Sequence, residues 1–402
     1  MRRLGLVLSL ATSACSLVWP YDEIHREGSA GGSADGGTGT RPSWAPCPKV
    51  GWCDLGPDTV FVKQCPTQTV PYDYPANCPY VIDASNSAIA DTTNDLMVIW
   101  GGGGQYAGNE VYTLSLGDHP RLERRNDPDP YQNCVEVLDD GSPDGSPASH
   151  TTFDGLSYIE PMQQLFAFGG DKYCDPNTGG GSDKTWTLDL HGASAPRWKP
   201  DWTLVNAPPP AGVQPFGPDS DYDAASNSVL VLVDNALLRY DVAKKSYARV
   251  TTEGGHYNMT GRVDPATGCF VSVGCAGCDP GVPTRSGLKV FCPVSAESYT
   301  AEQHTEAAMP TCQPLLEAGA PGFAYDPVLH RFIGWPNQGS AVWALDVASD
   351  SCKELDLPGG PPAGDAMVNT RGRFRYFPKL GVFVLLPSSE SHAFALRLPD
   401  TL

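Results

Sequence analysis

The sequence predicts an all-β chain assembled from six copies of one small sheet. Three observations predict it. Between residues 88 and 398 a pattern returns six times: a strand-like run ending near an acidic residue, a turn of four or five residues, then a hydrophobic run. Turn chemistry sits at the joints, as in Asp264-Pro265 and Asp326-Pro327, where the proline ring presets the dihedral that opens a type I turn. No long stretch carries the 3.6-residue apolar period of an amphipathic helix; only residues 295–308 read as a short one inside a loop.

The copies follow in order. The first runs SAIADTTNDLMVIWGGGG and continues to NEVYTLSL, and the second runs LSYIEPMQQLFAFGG and continues to DKTWTLDL. The third is DYDAASNSVLVLV with ALLRYDVAKKSYARV, and the fourth is GRVDPATGCFVSVG with SGLKVFCPVS. The fifth is FAYDPVLHRFIGWP with SAVWALDVASDSCKEL, and the sixth is RFRYFPKLGVFVLLP with HAFALRL. Each supplies two β-patterned runs joined by a tight turn, then a third run. A fourth strand is clearest at residues 247–250 and is expected near Trp198 and at 353–355.

The glycine pair Gly169-Gly170 and the aromatic residue of the third run, such as Trp186, resemble the kelch repeat of β-propellers in the second copy and, loosely, in the first. The other four copies lack the glycine pair, so the resemblance is to a degenerate, kelch-like propeller. It implies a six-bladed ring spanning three quarters of the chain. Inner strands beginning near 87, 156 and 221 are far enough apart to leave room for a seventh blade. The sixth copy stops at Leu398 after its third strand, which would leave an open edge. The run Thr59, Val60, Phe61, Val62, Lys63 precedes the first copy and is predicted to close the ring as the missing outer strand.

The chain starts with Met1-Arg2-Arg3, an apolar run to Ala11, and Thr12-Ser13-Ala14-Cys15. A charged start, a short apolar core and small residues read as a signal peptide over 1–14, too short to span a bilayer. Cys15 after Ala14 resembles the lipobox of bacterial lipoproteins, which implies lipidation of Cys15; Ser16 then resembles the pattern for outer-membrane sorting. Ordinary secretion is the alternative. Residues 15–45 are rich in Gly and Ser and read as a tether, leaving 46–402 as the propeller.

Twelve further cysteines, an even number in an exported chain, suggest up to six disulfides. Local pairs expected are Cys47 with Cys53, Cys65 with Cys78, and Cys312 with Cys352; Cys134 and Cys174 remain without an assigned partner. Cys269, Cys275, Cys278 and Cys292 read as two structural disulfides on the fourth blade, with zinc as the weaker alternative. The formal charge of −19 falls to −21 once Arg2 and Arg3 leave with the leader, which argues against nonspecific nucleic-acid binding.

Segments entering the inner strands of a propeller ring one mouth of its channel. They carry His150, His256, Tyr257, Asn258, Arg262, Arg371 and Arg373 as candidate ligand-binding residues. Arginine forks match carboxylates, so a uronic acid or another anion would suit them. The leading expectation is noncatalytic binding of an envelope protein or glycan by a monomeric propeller. Its loops at 117–150, 171–182, 191–217 and 293–320 are the contact surfaces. The alternative is a polysaccharide lyase or other carbohydrate-active enzyme, with His256 or Tyr257 as base and Arg371 or Arg373 as charge stabiliser. No cofactor is implied. Acidic runs at 127–133 and 139–145 leave calcium open without matching an EF-hand.

Overall fold

The repeated turn chemistry folds into six antiparallel sheets of four strands each. The computed structural model describes residues 41–402, apart from 104–105, 130–144, 173–180, 277–285, 296, 303, 305–308 and 362–368. Thr40–Leu402 forms one compact unit. From the innermost strand outwards, blade 1 is Ser87–Asp91, Leu96–Trp100, Val111–Ser115 and Arg121–Arg124. Blade 2 is Leu156–Ile159, Gln164–Phe168, Thr185–Asp189 and Trp202–Val205, and blade 3 is Asp219–Asp223, Ser228–Val233, Ala236–Asp241 and Ser246–Thr251. Blade 4 is Thr260–Val263, Phe270–Val273, Leu288–Ser295 and Ser298–Glu302, and blade 5 is Gly322–Asp326, Arg331–Trp335, Ala341–Asp346 and Ser351–Asp356. Blade 6 is Phe374–Phe377, Val382–Leu385 and Phe394–Arg397, completed by Gly51–Asp54.

The inner strands neighbour one another in chain order, and the last packs against the first, so the ring is closed. Second strands such as Leu96–Trp100, Ser228–Val233 and Val382–Leu385 are buried at every position. Both their faces meet a neighbouring blade, which is why they read as unbroken apolar runs. Hydrophobic clusters accordingly lie between blades: Ile89, Val98 and Trp100 of blade 1 pack with Leu156, Leu165 and Trp186 of blade 2. Each such side chain taken fully out of water contributes about 1.5–3 kcal/mol.

The ring closes by an N-terminal strand, as expected, but eight residues upstream of the predicted run. Gly51 pairs with Arg397 and Asp54 with Phe394. The Trp52 indole anchors this strand, donating to the Ser340 carbonyl at 2.7 Å. Residues 59–63 instead belong to two 3-10 turns, Pro57–Thr59 and Phe61–Gln64, with Val60 extended between them. Proline starts the first turn, and Phe61 buries its ring 4.6 Å from that of Tyr112 in blade 1. The expected short helix in 295–308 is also corrected: Ser298–Glu302 is the outer strand of blade 4, and the helix follows at Gln313–Glu317. The end of the expected tether is not free either, since Arg41 and Trp44 are buried against the propeller. The four loops expected as contact surfaces hold much outer-strand structure, including Arg121–Arg124 and Trp202–Val205. The described residues form six blades, and the long early spacing includes a small ladder of His150–Thr151 with Asp171–Lys172.

Cys47–Cys53, Cys65–Cys78 and Cys312–Cys352 are bonded as the spacing suggested. Cys269–Cys292 is a fourth disulfide, and Cys275 is disulfide-bonded as well. These bonds remove the four-thiolate set that zinc would need. Cys134, Cys174 and Cys278 lie outside the described residues. So does most of the acidic stretch considered for calcium; within its described part, the Asp127 carboxylate pairs with Arg124 at 2.9 Å.

Candidate functional site

The segments that lead into the inner strands fold over their end of the channel and fill it. Arg371 sits at a left-handed φ of 53° and is fully buried. Its Nη1 donates to the Tyr257 carbonyl at 2.6 Å, its Nη2 lies 3.5 Å from Asn258 Oδ1, and its guanidinium stands 5.1 Å from the Phe153 ring centre. Burial pushes its pKa down to about 10, against the pull of the Asp219 and Asp154 carboxylates. Arg373 is buried too, and its guanidinium bonds only backbone carbonyls, among them Leu386 and Asn369 at 2.7 Å each. His256 accepts the Asn258 N–H at 3.3 Å and lies 3.5 Å from Cys275 Sγ, its ring 4.3 Å from that of Tyr257.

The structure therefore brings His256, Tyr257, Asn258 and Arg371 together, beside Arg373. It places His150 elsewhere, buried on the small ladder with its ring 6.0 Å from Trp100. Arg262, expected at this mouth, is corrected: it stands deeper, where its two Nη atoms meet the fully buried Asp154 carboxylate at 2.5 and 3.3 Å. Asp154 also accepts the Gly261 N–H and the Ser87 hydroxyl, both at 3.2 Å, so one carboxylate ties together blades 1, 2 and 4.

The opposite mouth, where the inner strands end, is open. It holds a cavity of about 330 Å³. The penultimate residue of every inner strand lines it: Ala90, Tyr158, Tyr222, Arg262, Tyr325 and Tyr376. Six-fold repetition explains the arrangement, because equivalent strand positions converge on the channel axis. Four tyrosine rings make the wall, and Pro265, Pro327 and Pro378 of the following turns make the rim.

The floor is charged. Arg262 and Arg375 are almost wholly buried, and the Nε of Arg262 has no hydrogen-bond partner. Arg375 donates through Nε to the Ala88 and Gly372 carbonyls, both at 3.0 Å, while its Nη1 lies 4.0 Å from Asp221 Oδ1. Asp221 accepts the Val263 N–H at 3.0 Å. Desolvation raises the Asp221 pKa from its ordinary value, opposed by Arg262 and Arg375; burial lowers that of Arg375 to about 10, so it stays charged at neutral pH. Burial likewise raises Tyr325 and Tyr376 to about 12, which keeps these phenols neutral and able both to donate and to accept hydrogen bonds. Such a site can hold a small polar ligand between aromatic faces and fixed charged groups. Among the described residues no cluster of metal-ligating side chains is found.

The sequence reading missed this pocket, yet its signal was visible. LSYIEP, DYDAAS, FAYDP and RFRYFP each carry a tyrosine just ahead of the turn.

Solved structures show likenesses of fold at low identity. YjhT is 9% identical with a TM-score of 0.47, over 77% of this chain and 92% of that one. The Malassezia sympodialis allergen Mala s 1 is 14% identical with a TM-score of 0.45, over 77% and 91%. TolB from Acinetobacter baumannii is 10% identical with a TM-score of 0.39, over 68% of this chain; the match spans only 54% of TolB's length. No protein-family model and no curated protein sequence matches the chain.

Proposed function

We propose that this chain is a cell-envelope propeller that recognises a carbohydrate in the pocket where its six inner strands end. The carrying observation is that all six blades contribute to that pocket, four of them a tyrosine, above a floor of Arg262, Arg375 and Asp221. A sugar has apolar C–H faces that stack on aromatic rings and hydroxyls that pair with charged groups, so it matches both halves of the site. A lipid on Cys15 and a Gly/Ser tether would hold a monomeric, kelch-like domain at the outer membrane; secretion is the alternative. We read the His256, Tyr257, Asn258 and Arg371 cluster as the closure of the other mouth, because its one guanidinium is engaged by the Tyr257 carbonyl, the Asn258 side chain and the Phe153 ring.

Catalysis on the bound sugar is the second reading, and Asp221 favours it. A partly buried carboxyl with a raised pKa beside two guanidinium groups, a quarter of its side chain open to the pocket, is suited to take and return a proton.

The test combines calorimetry and mass spectrometry on acidic and neutral saccharides, with and without calcium. At about 1 kcal/mol for each aromatic contact, Tyr222→Ala with Tyr325→Ala should weaken binding about thirtyfold in a protein that still unfolds cooperatively in urea, at a lower midpoint because both rings also pack on the blade cores. Unaltered affinity in that double variant, or no binding by the unmodified protein across the set, refutes the reading. New oligosaccharides that vanish in Asp221→Asn would add catalysis; binding without products removes it.

A further inference from the structure

Arg41 lies outside the pocket and yet is bonded to its wall. It enters at the seam between blades 5 and 6. Its Nη2 meets Asp326 Oδ2 at 2.5 Å, with both side chains fully buried, and its Nη1 donates to the Tyr376 hydroxyl at 3.2 Å. Its guanidinium carbon lies 5.8 Å from the Tyr376 ring centre. The other oxygen of Asp326 accepts the N–H groups of Val328 and Leu329, at 2.9 and 3.2 Å. Asp326 thus holds the turn that carries the rim residue Pro327 with one oxygen and Arg41 with the other. Tyr376 and Pro327 both line the pocket.

The strap that delivers Arg41 is fixed in turn. Arg397 donates to the carbonyls of Arg41 and Pro42 at 3.0 and 2.6 Å, and Asp400 Oδ1 accepts the Arg41 N–H at 3.1 Å. The strap also passes close over Gly381, where a Cβ would stand 3.0 Å from the Arg41 Cβ and the Pro42 oxygen.

We propose that Arg41 is a positioning residue of the pocket, fixing from behind the part of the wall that blades 5 and 6 supply. The pocket then depends on the first residues of the folded unit, although none of them lines it. The competing account is a clasp for the chain ends with no effect on the pocket. The inference concerns the wall and not its occupant, so it stands or falls apart from the saccharide reading.

The test uses the full chain and hydrogen exchange read by mass spectrometry, without ligand. In Arg41→Gln the amides of Val328 and Leu329 should exchange about tenfold faster, while the equivalent blade 3 turn at 223–227 is unchanged. Arg41→Lys keeps a cation for Asp326 and should recover most of that protection. Faster exchange confined to 41–44 and 397–402 would overturn the proposal in favour of the clasp. If Arg41→Gln does not fold, Tyr376→Phe removes only the acceptor of Arg41 Nη1. It should speed exchange at Leu380 and Gly381, and no change there would also overturn the proposal. Should D-glucuronate or D-glucose bind, a double-mutant cycle of Arg41→Gln with Tyr376→Phe should show coupling of about threefold or more in Kd, and strict additivity counts against the proposal.

Discussion

Asp154 offers the sharpest test of how the ring is held together. Replacing it with alanine removes the carboxylate from both Arg262 Nη atoms, leaving Nη1 only the Gly261 carbonyl, and removes an acceptor of the Gly261 N–H and the Ser87 hydroxyl. Breaking a buried ion pair from one side costs about 3–5 kcal/mol, because the remaining charge stays buried. The Gly261 N–H, left without this acceptor where water cannot reach it, adds about 1 kcal/mol, and the Ser87 hydroxyl adds less because the Ala88 carbonyl remains 3.4 Å away. The expected loss is therefore about 5 kcal/mol, as large as the whole stability of many domains. Asp154→Asn keeps an acceptor and the shape, and should lose about half as much. Urea unfolding followed by tryptophan fluorescence would measure both, with hydrogen exchange resolving which blades loosen. Asp154→Ala should speed exchange in the inner strands of blades 1 and 4 together. A loss within about 0.5 kcal/mol of zero, the range of an ordinary surface change, would refute the reasoning.

Two further outcomes are expected. Glu110 is fully buried, with Tyr106 donating to it at 2.6 Å, and burial raises its pKa from 4.5 to about 7. Its contribution to stability is therefore complete below pH 4.5 and fades as pH rises to 7, by about 3 kcal/mol in all; Glu110→Gln should flatten that part of the stability profile, measured by denaturant midpoints across pH. Removing the Cys269–Cys292 bridge by a double alanine substitution opens a loop of 23 residues and should cost about 3 kcal/mol by the same assay; faster exchange is expected in Leu288–Ser295, and an unchanged midpoint would mean that blade 4 is held by packing alone.

The repeat was legible because it rests on local chemistry. Asp-Pro turns and apolar second strands state their structure within a dozen residues, and the outer strand at Ser246–Thr251 lay where the pattern placed it. The closing strand was not, because Gly51–Asp54 is chosen by pairing with residues more than three hundred positions away. Thr59–Lys63 has the better local β character, yet Pro57 and the buried Phe61 override it. The candidate site misled for a related reason. Segments entering the inner strands are rich in His and Arg, and the same segments bring Phe153, Phe216 and Tyr257, whose rings pack together over the channel. Whether a polar side chain at a mouth is open or covered is a tertiary property. The tyrosines at the other end repeat at equivalent positions, and that regularity was the readable sign.

The filled mouth has a geometric consequence for whatever the pocket accepts. With Arg371 and Arg373 fully buried at one end and the charged floor beneath the tyrosines, the channel is a cul-de-sac. A polymer cannot be threaded through it. A guest must arrive and depart by one door, so the pocket suits a single residue or the tip of a chain rather than its middle.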